Sequence, residues 1–198
     1  MSDPILILAQ PRSGSSMTAG IFHRHGVWVG SHRPGDQHNA KGHYENIALR
    51  TILVGMHSPI VHDGTLARKI PGFREQALSA IKNDGYVEGP WLWKGSVMYH
   101  PAWFEFDALK IGVIRPRDKV FQSCRRSHIF GHKLSDEELY ANIDFHQTEI
   151  RRVCSALVFS DEVAKGDFES IRHAIETAGL EWNEKAARDF VDRDLWHY

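Results

Sequence analysis

Two cysteines in 198 residues, Cys124 and Cys154, supply neither a spaced disulfide framework nor a Cys-x-x-Cys pair. They are expected as two reduced thiols in a cytoplasmic protein. Long apolar runs are also missing. The first one, 5–9, is far short of the ~18 residues a membrane span needs, and nothing later in the chain reaches that length. Asp3 precedes it where a secretory signal would carry a base. An excess of one charge is absent as well: 24 Lys and Arg stand against 25 Asp and Glu, a formal net charge of −1. Such a balance gives no global field to attract nucleic acid or an anionic membrane, so neither is expected as a partner, and any anion site must come from a local cluster. The 13 histidines are scattered, with no His-Glu-x-x-His and no paired Cys/His spacing, so no metal site is expected. Repeats, linkers and low-complexity tracts are lacking too, and the length suits one domain over 1–198.

What the chain has is an alternation of strand and helix signals. Residues 5–9 (ILILA) form a continuous apolar run, as a strand buried on both faces requires, and 108–114 (ALKIGVI) and 156–159 (ALVF) are two further strong strand signals. A short strand is expected at 91–93. Helices are expected over 15–25, 45–57, 71–84, 117–130, 135–154, 167–178 and 183–192. Ser135 with Glu138 forms a capping-box pattern, Gly179 is a helix stop and Asn183 a cap. Residues 30–44, rich in Gly, His, Pro and Asn, read as a loop. Strands separated by helices predict an α/β three-layer sandwich, a central parallel sheet flanked by helices.

The junction between the first strand and the first helix reads Gln10-Pro11-Arg12-Ser13-Gly14-Ser15-Ser16-Met17. Gly14 permits a tight turn. The amides of 14–17 would face an anion at the positive end of the helix dipole. Ser13, Ser15 and Ser16 add hydroxyl donors, and Arg12 adds a planar cation suited to phosphate or sulfate. The plainer alternative is that Ser15 only caps the helix, which accounts for neither Arg12 nor the serine cluster. An ATP-binding phosphate loop would place glycine at Ala9 and lysine at Ser15, so the kinase reading is weakened. The second basic junction follows the strand at 108–114. Arg115-Pro116-Arg117-Asp118 opens a helix, and Ser123 lies eight positions after Arg115, about two turns on. Arg115 at a strand end and Ser123 on the next helix could grip one phosphate from two sides. Arg117, Lys119 and one of Arg125 or Arg126 read more simply as a solvated basic face.

Pro11-Arg12-Ser13-Gly14-Ser15-Ser16 resembles, position for position, the 5′-phosphosulfate loop P-[KR]-S-G-[ST]-[ST] of sulfotransferases that use 3′-phosphoadenosine 5′-phosphosulfate (PAPS). Arg115 to Asp118 with Ser123 resembles their 3′-phosphate motif in its shorter spelling. The segment AKGHYEN at 40–46, WLWKG at 91–95 and the strand and helix of 156–180 are similar to other stretches of that family, so the resemblance covers most of the chain. A C-terminal basic, glycine-rich nucleotide clamp is not found. The resemblance implies a phosphate-loop nucleotide-binding fold and sulfuryl transfer from PAPS to a hydroxyl or amine without an obligatory metal. It implies that Arg12, Ser13, Gly14, Ser15, Ser16 and Met17 hold the 5′-phosphosulfate, and that Arg115 and Ser123 hold the 3′-phosphate. Arg12 and Lys94 are the candidates for stabilising charge on the transferring group. Glu45 is the first candidate base and His43 the second, ahead of His32, His38 and His100; a glutamate base would gain from a raised pKa in a partly dry site. The acceptor stays open between sugar, lipid, peptide and small phenol, and the oligomeric state is not legible. A nucleotide-binding module without chemistry, and a phosphate-loop kinase, stand as alternatives.

Overall fold

The computed structural model describes residues 2–36, 39–56, 66–127 and 134–192. Four strands, β1 (Ile5–Ala9), β2 (Leu92–Ser96), β3 (Leu109–Ile114) and β4 (Ala156–Phe159), form one sheet in the order β2-β1-β3-β4. All three pairings are parallel, with Ile7 opposite Lys94 on one side of β1 and opposite Ile111 on the other.

β1 is central, and every residue of it is buried. The pleat sends alternate side chains to opposite faces. Ile5, Ile7 and Ala9 join the core beneath α1 (Ser15–Arg24), α6 (Ser160–Lys165), α7 (Glu169–Thr177) and α8 (Glu184–Phe190). Leu6 and Leu8 join the opposite core, under α2 (Ile47–Met56), α3 (Phe73–Asn83), a 3-10 helix (Val97–Trp103) and the end of α5 (Asp136–Val153). The result is the three-layer α/β sandwich expected from the pattern. The remaining helix, α4 (Arg117–Ser127), packs on α5 through Val120, Cys124, Leu139 and Ile143.

Most local signals act as the sequence dictates. The Ser135 side chain accepts from the Glu138 amide at 3.2 Å while the Glu138 carboxylate accepts from the Ser135 amide at 2.7 Å. Asn183 caps α8 through the Ala186 amide at 3.0 Å. Gly179, with φ 72, stops α7. Three boundaries differ. β2 continues past Trp93 to Ser96, because Lys94, Gly95 and Ser96 still pair with β1 despite their polarity. The 3-10 helix after it, capped by Ser96 and containing Pro101, was not expected. The segment after β4 forms two helices, since α6 starts directly at Ser160 and ends at Gly166, φ 96, before α7. Of the helix expected over 117–130, residues 128–130 lie outside the described residues. Among the described residues no helix is long and apolar enough to cross a membrane.

The connectivity locates a crevice. From β1 the chain passes to β2 on one side of it, and from β3 to β4 on the other. The carboxyl ends of β1 and β3 therefore flank the point where the strand order reverses, the usual ligand position in an open parallel sheet.

Candidate functional site

Both basic junctions emerge at that reversal. After β1 the chain turns sharply: Ser13 Oγ donates to the Gln10 carbonyl at 2.7 Å, and Arg12 and Gly14 take left-handed φ values of 70° and 88°. Gly14 carries this without penalty, whereas Arg12 does so at a cost of roughly 1–2 kcal/mol. Strain held on a non-glycine residue in a loop concentrates at functional sites. Gly14 is also the N-cap of α1, and no side chain caps that helix. The plainer role for Ser15 is therefore excluded: it is the first helical residue and makes no capping bond. The amides of Gly14, Ser15, Ser16 and Met17 have no protein acceptor among the described residues. Uncapped donors at the positive end of a helix dipole form a ready anion cradle.

The second junction meets the first directly. Arg12 Nε donates to Ser123 Oγ at 3.0 Å, and Arg115 donates to the Arg12 carbonyl at 3.2 Å. Arg115 and Ser123 are buried, 4% and 3% exposed, which makes a surface role for either untenable. Asp161, just after β4, anchors the Arg115 Nε at 3.3 Å and Lys119 at 2.5 Å. Burial, with Arg126 adding like-charge repulsion, holds the guanidinium pKa values of Arg12 and Arg115 below the ordinary arginine value. Arginine remains charged under these conditions, so the crowding favours an arriving anion. The rest of the basic face pairs as expected of solvated charges: Arg117 with Asp144 at 2.9 Å, Arg125 with Asp136 at 2.5 Å. Arg126 is the arginine of the Arg125/Arg126 pair that makes no ion pair among the described residues.

A cavity of about 290 Å³ opens on these groups. Arg12, Gly14, Ser15, Ser16, Met17, His43, Glu45, Lys94, Arg115 and Ser123 all line it. Ser13 does not; its hydroxyl closes the loop on Gln10 instead of facing the cavity.

Lys94 is 5% exposed and sits inside β2, where the backbone aims it at the first turn of α1. Its Nζ donates to Ser16 Oγ at 3.2 Å and pairs with Glu45 at 3.0 Å. Burial lowers the Lys94 ammonium pKa against the pull of Glu45. Gly95 beside it leaves no room for a side chain as packed, because a Cβ there would stand 2.2 Å from the Trp93 ring.

Glu45 requires a correction. Burial alone would raise its pKa, but Lys94 and Arg50, the latter at 3.4 Å, outweigh that and leave the carboxyl below its ordinary value. The raised value expected for a glutamate base is not what this geometry gives. His43 lines the same cavity. Its Nε2 is 2.8 Å from the Asp36 carboxylate, and its carbonyl accepts from Ser16 Oγ at 3.2 Å.

The weaker histidine candidates are placed elsewhere. His100 pairs with Glu149 at 2.8 Å, and His32 stacks on Tyr44 with ring centroids 4.8 Å apart; neither lines the cavity. His38 lies outside the described residues. Among the described residues no group of three or more His, Cys, Asp or Glu is placed to hold a metal ion.

Several lining groups were not among the site residues expected from the sequence. Asn39, Lys41, Phe190 and Asp192 form a wall built from the loop and the far end of the chain. Lys41 donates to the Phe190 carbonyl, and its ammonium lies over the Phe190 ring. Asp161 could have been suspected as an acid at a strand end facing the crevice.

No protein-family model matches the chain, and no curated protein matches its sequence. The fold is similar to the crystal structure of sulfotransferase STF1 from Mycobacterium tuberculosis H37Rv (type1 form), with a TM-score of 0.51 over 96% of this chain and 71% of that one. The two are 12% identical in sequence, a likeness that establishes a shared sulfotransferase-type fold.

Proposed function

We propose that this chain is a sulfotransferase that moves a sulfuryl group from PAPS to a hydroxyl or amine acceptor. The observation that carries the proposal is the junction of Arg12 with Ser123 and Arg115 at an uncapped helix N-terminus. Two motifs about 100 residues apart, each resembling a phosphate-binding segment of PAPS-dependent enzymes, meet in one cavity. The shared fold with a sulfotransferase is consistent with this reading.

The residues fit the group. The amides of 14–17 with Ser15 and Ser16 would hold the 5′-phosphosulfate, and Arg115 with Ser123 the 3′-phosphate. When bound, PAPS supplies a sulfuryl group whose bond to the 5′-phosphate oxygen breaks as a bond to the acceptor oxygen or nitrogen forms. Arg12 and Lys94 neutralise the charge that gathers on the departing phosphate oxygen. The acceptor proton passes to a base in the cavity, Glu45 in this assignment. Sugar, lipid, peptide and small phenol acceptors all supply the required hydroxyl.

One observation favours a second reading, a nucleotide-binding module without chemistry: Glu45 is held between two cations and is a weakened base. A phosphate-loop kinase is disfavoured by Ser15 at the lysine position and by Arg115 at the end of β3. Thermal shift separates the three. PAPS and adenosine 3′,5′-bisphosphate should each raise Tm while ATP does not, since a ligand at 100 times its Kd stabilises the folded state by about 2.7 kcal/mol. Stabilisation by ATP alone would support the kinase. Binding of PAPS without sulfate transfer to any acceptor class would support the module.

A further inference from the structure

We infer that Lys94 is a switch between the base and the nucleotide: a 5′-anion in the loop takes the lysine away from Glu45 and leaves that carboxylate facing the acceptor. The inference rests on the nucleotide reading of the site and adds a coupling between its two halves.

Three contacts carry it. Lys94 Nζ is bound to Glu45 at 3.0 Å and to Ser16 Oγ at 3.2 Å. Ser16 belongs to the first turn of α1, whose amides have no protein acceptor among the described residues. The ammonium thus already touches the edge of the anion cradle while it neutralises the carboxylate. Lys94 is almost wholly buried, so solvent does little to screen its choice of partner. A doubly charged phosphate or a phosphosulfate on those amides offers a stronger acceptor than one carboxylate. The lysine stem is flexible, and Ser16 is already within reach, so exchange needs rotation of one side chain and no backbone movement.

The other charges around Glu45 make the exchange consequential. Arg50 of α2 holds the second carboxylate oxygen at 3.4 Å but is half exposed, and His43 stands two residues before. Once Lys94 leaves, the ion pair left to Glu45 among the described residues is the one with Arg50, which solvent screens more strongly. Its basicity then rises only after the nucleotide is seated. An empty site would hold the carboxylate in a less basic form.

A double-mutant cycle tests the coupling by calorimetric titration of adenosine 3′,5′-bisphosphate. E45Q should tighten binding roughly fivefold in the presence of Lys94, because the competing carboxylate is gone, and by less than about twofold in K94M; couplings of this size are usual between touching residues. The same factor in both backgrounds, or weaker binding by E45Q, overturns the inference. Should K94M not fold, a crystal structure of the wild-type protein with the bisphosphate decides: Nζ on the 5′-phosphate supports the switch, and Nζ still on Glu45 overturns it. Failure of the wild-type protein to bind the bisphosphate at all removes the nucleotide reading and this inference with it, an outcome distinct from intact binding without coupling.

Discussion

Arg12 Nε lies 3.0 Å from Ser123 Oγ, although 111 residues separate them in sequence. Arg12 ends the turn after β1, and Ser123 rides on α4 after β3, so the contact closes the crevice between two parallel strands. Arg12 is held there in a left-handed conformation that its side chain does not favour. The strain, the hydrogen bond and the neighbouring Arg115 converge on one place, the point at which the proposed nucleotide would bridge the two junctions.

Arg12→Ala should reduce sulfuryl transfer by on the order of 10²–10³ while leaving the fold intact, since the loss of one charge-stabilising contact typically has that effect. The core does not depend on Arg12, and alanine keeps the Cβ that Arg12 already carries in the left-handed conformation, so the backbone strain is unchanged. Turnover with PAPS and a suitable acceptor, set beside a melting curve, checks it. A folded variant with wild-type turnover would show that the cradle is misread.

Glu45→Gln should keep nucleotide binding and lose roughly 10²–10⁴ in transfer rate, the usual effect of removing a general base. His43→Asn is the necessary companion, because His43 faces the same cavity and is paired with Asp36 at 2.8 Å. A pH–rate limb present in the wild type and lost only in His43→Asn would move the role to the histidine. Normal turnover by both variants would place the base elsewhere.

Gly95→Ala should destabilise the protein by about 1–3 kcal/mol, the range for forcing extra volume into a packed site. The new Cβ would collide with the Trp93 ring, and relief of that clash must shift β2 next to Lys94. Chemical denaturation measures the stability, and bisphosphate titration measures the knock-on effect at the site. A variant of wild-type stability would mean that Trp93 moves freely, contrary to its burial.

Burial pushes the Cys124 thiol up to about 11 and the Cys154 thiol up to about 12. Both should remain unmodified by iodoacetamide in the native protein at pH 8, as mass spectrometry would show. The linkage sign follows from the raised values. The unfolded chain loses these protons from about pH 8.5 while the folded protein keeps them, so stability falls as pH rises above that point. Rapid alkylation of the folded protein would contradict the packing of α4 against α5 and of α5 against the sheet.

The parts of this protein that local chemistry specifies are legible in its sequence. Ile5–Ala9 reads as a doubly buried strand because it is one, at the centre of the sheet. Ser135 and Asn183 announce their helices because a cap is a contact within four residues. The tight turn and helix start at 10–17 were legible for the same reason, the glycine, serines and arginine being consecutive. What was not legible depends on distant partners. Lys94 looked like the end of a strand because its polarity hides the pairing of Leu92–Ser96 with β1. The lowered basicity of Glu45 arises from Lys94, 49 positions later, and no spacing rule encodes that meeting. Phe190 and Asp192 reach the cavity only through the packing of α8 on α1.

In the proposed function one cavity recognises both phosphates of the nucleotide. Calorimetric titration of adenosine 3′,5′-bisphosphate beside AMP tests it most directly. The Arg115 and Ser123 contacts should favour the bisphosphate by about 1.5–3 kcal/mol, roughly 10- to 150-fold in Kd, and Ser123→Ala should narrow the gap. Equal affinities for the two nucleotides would contradict the account.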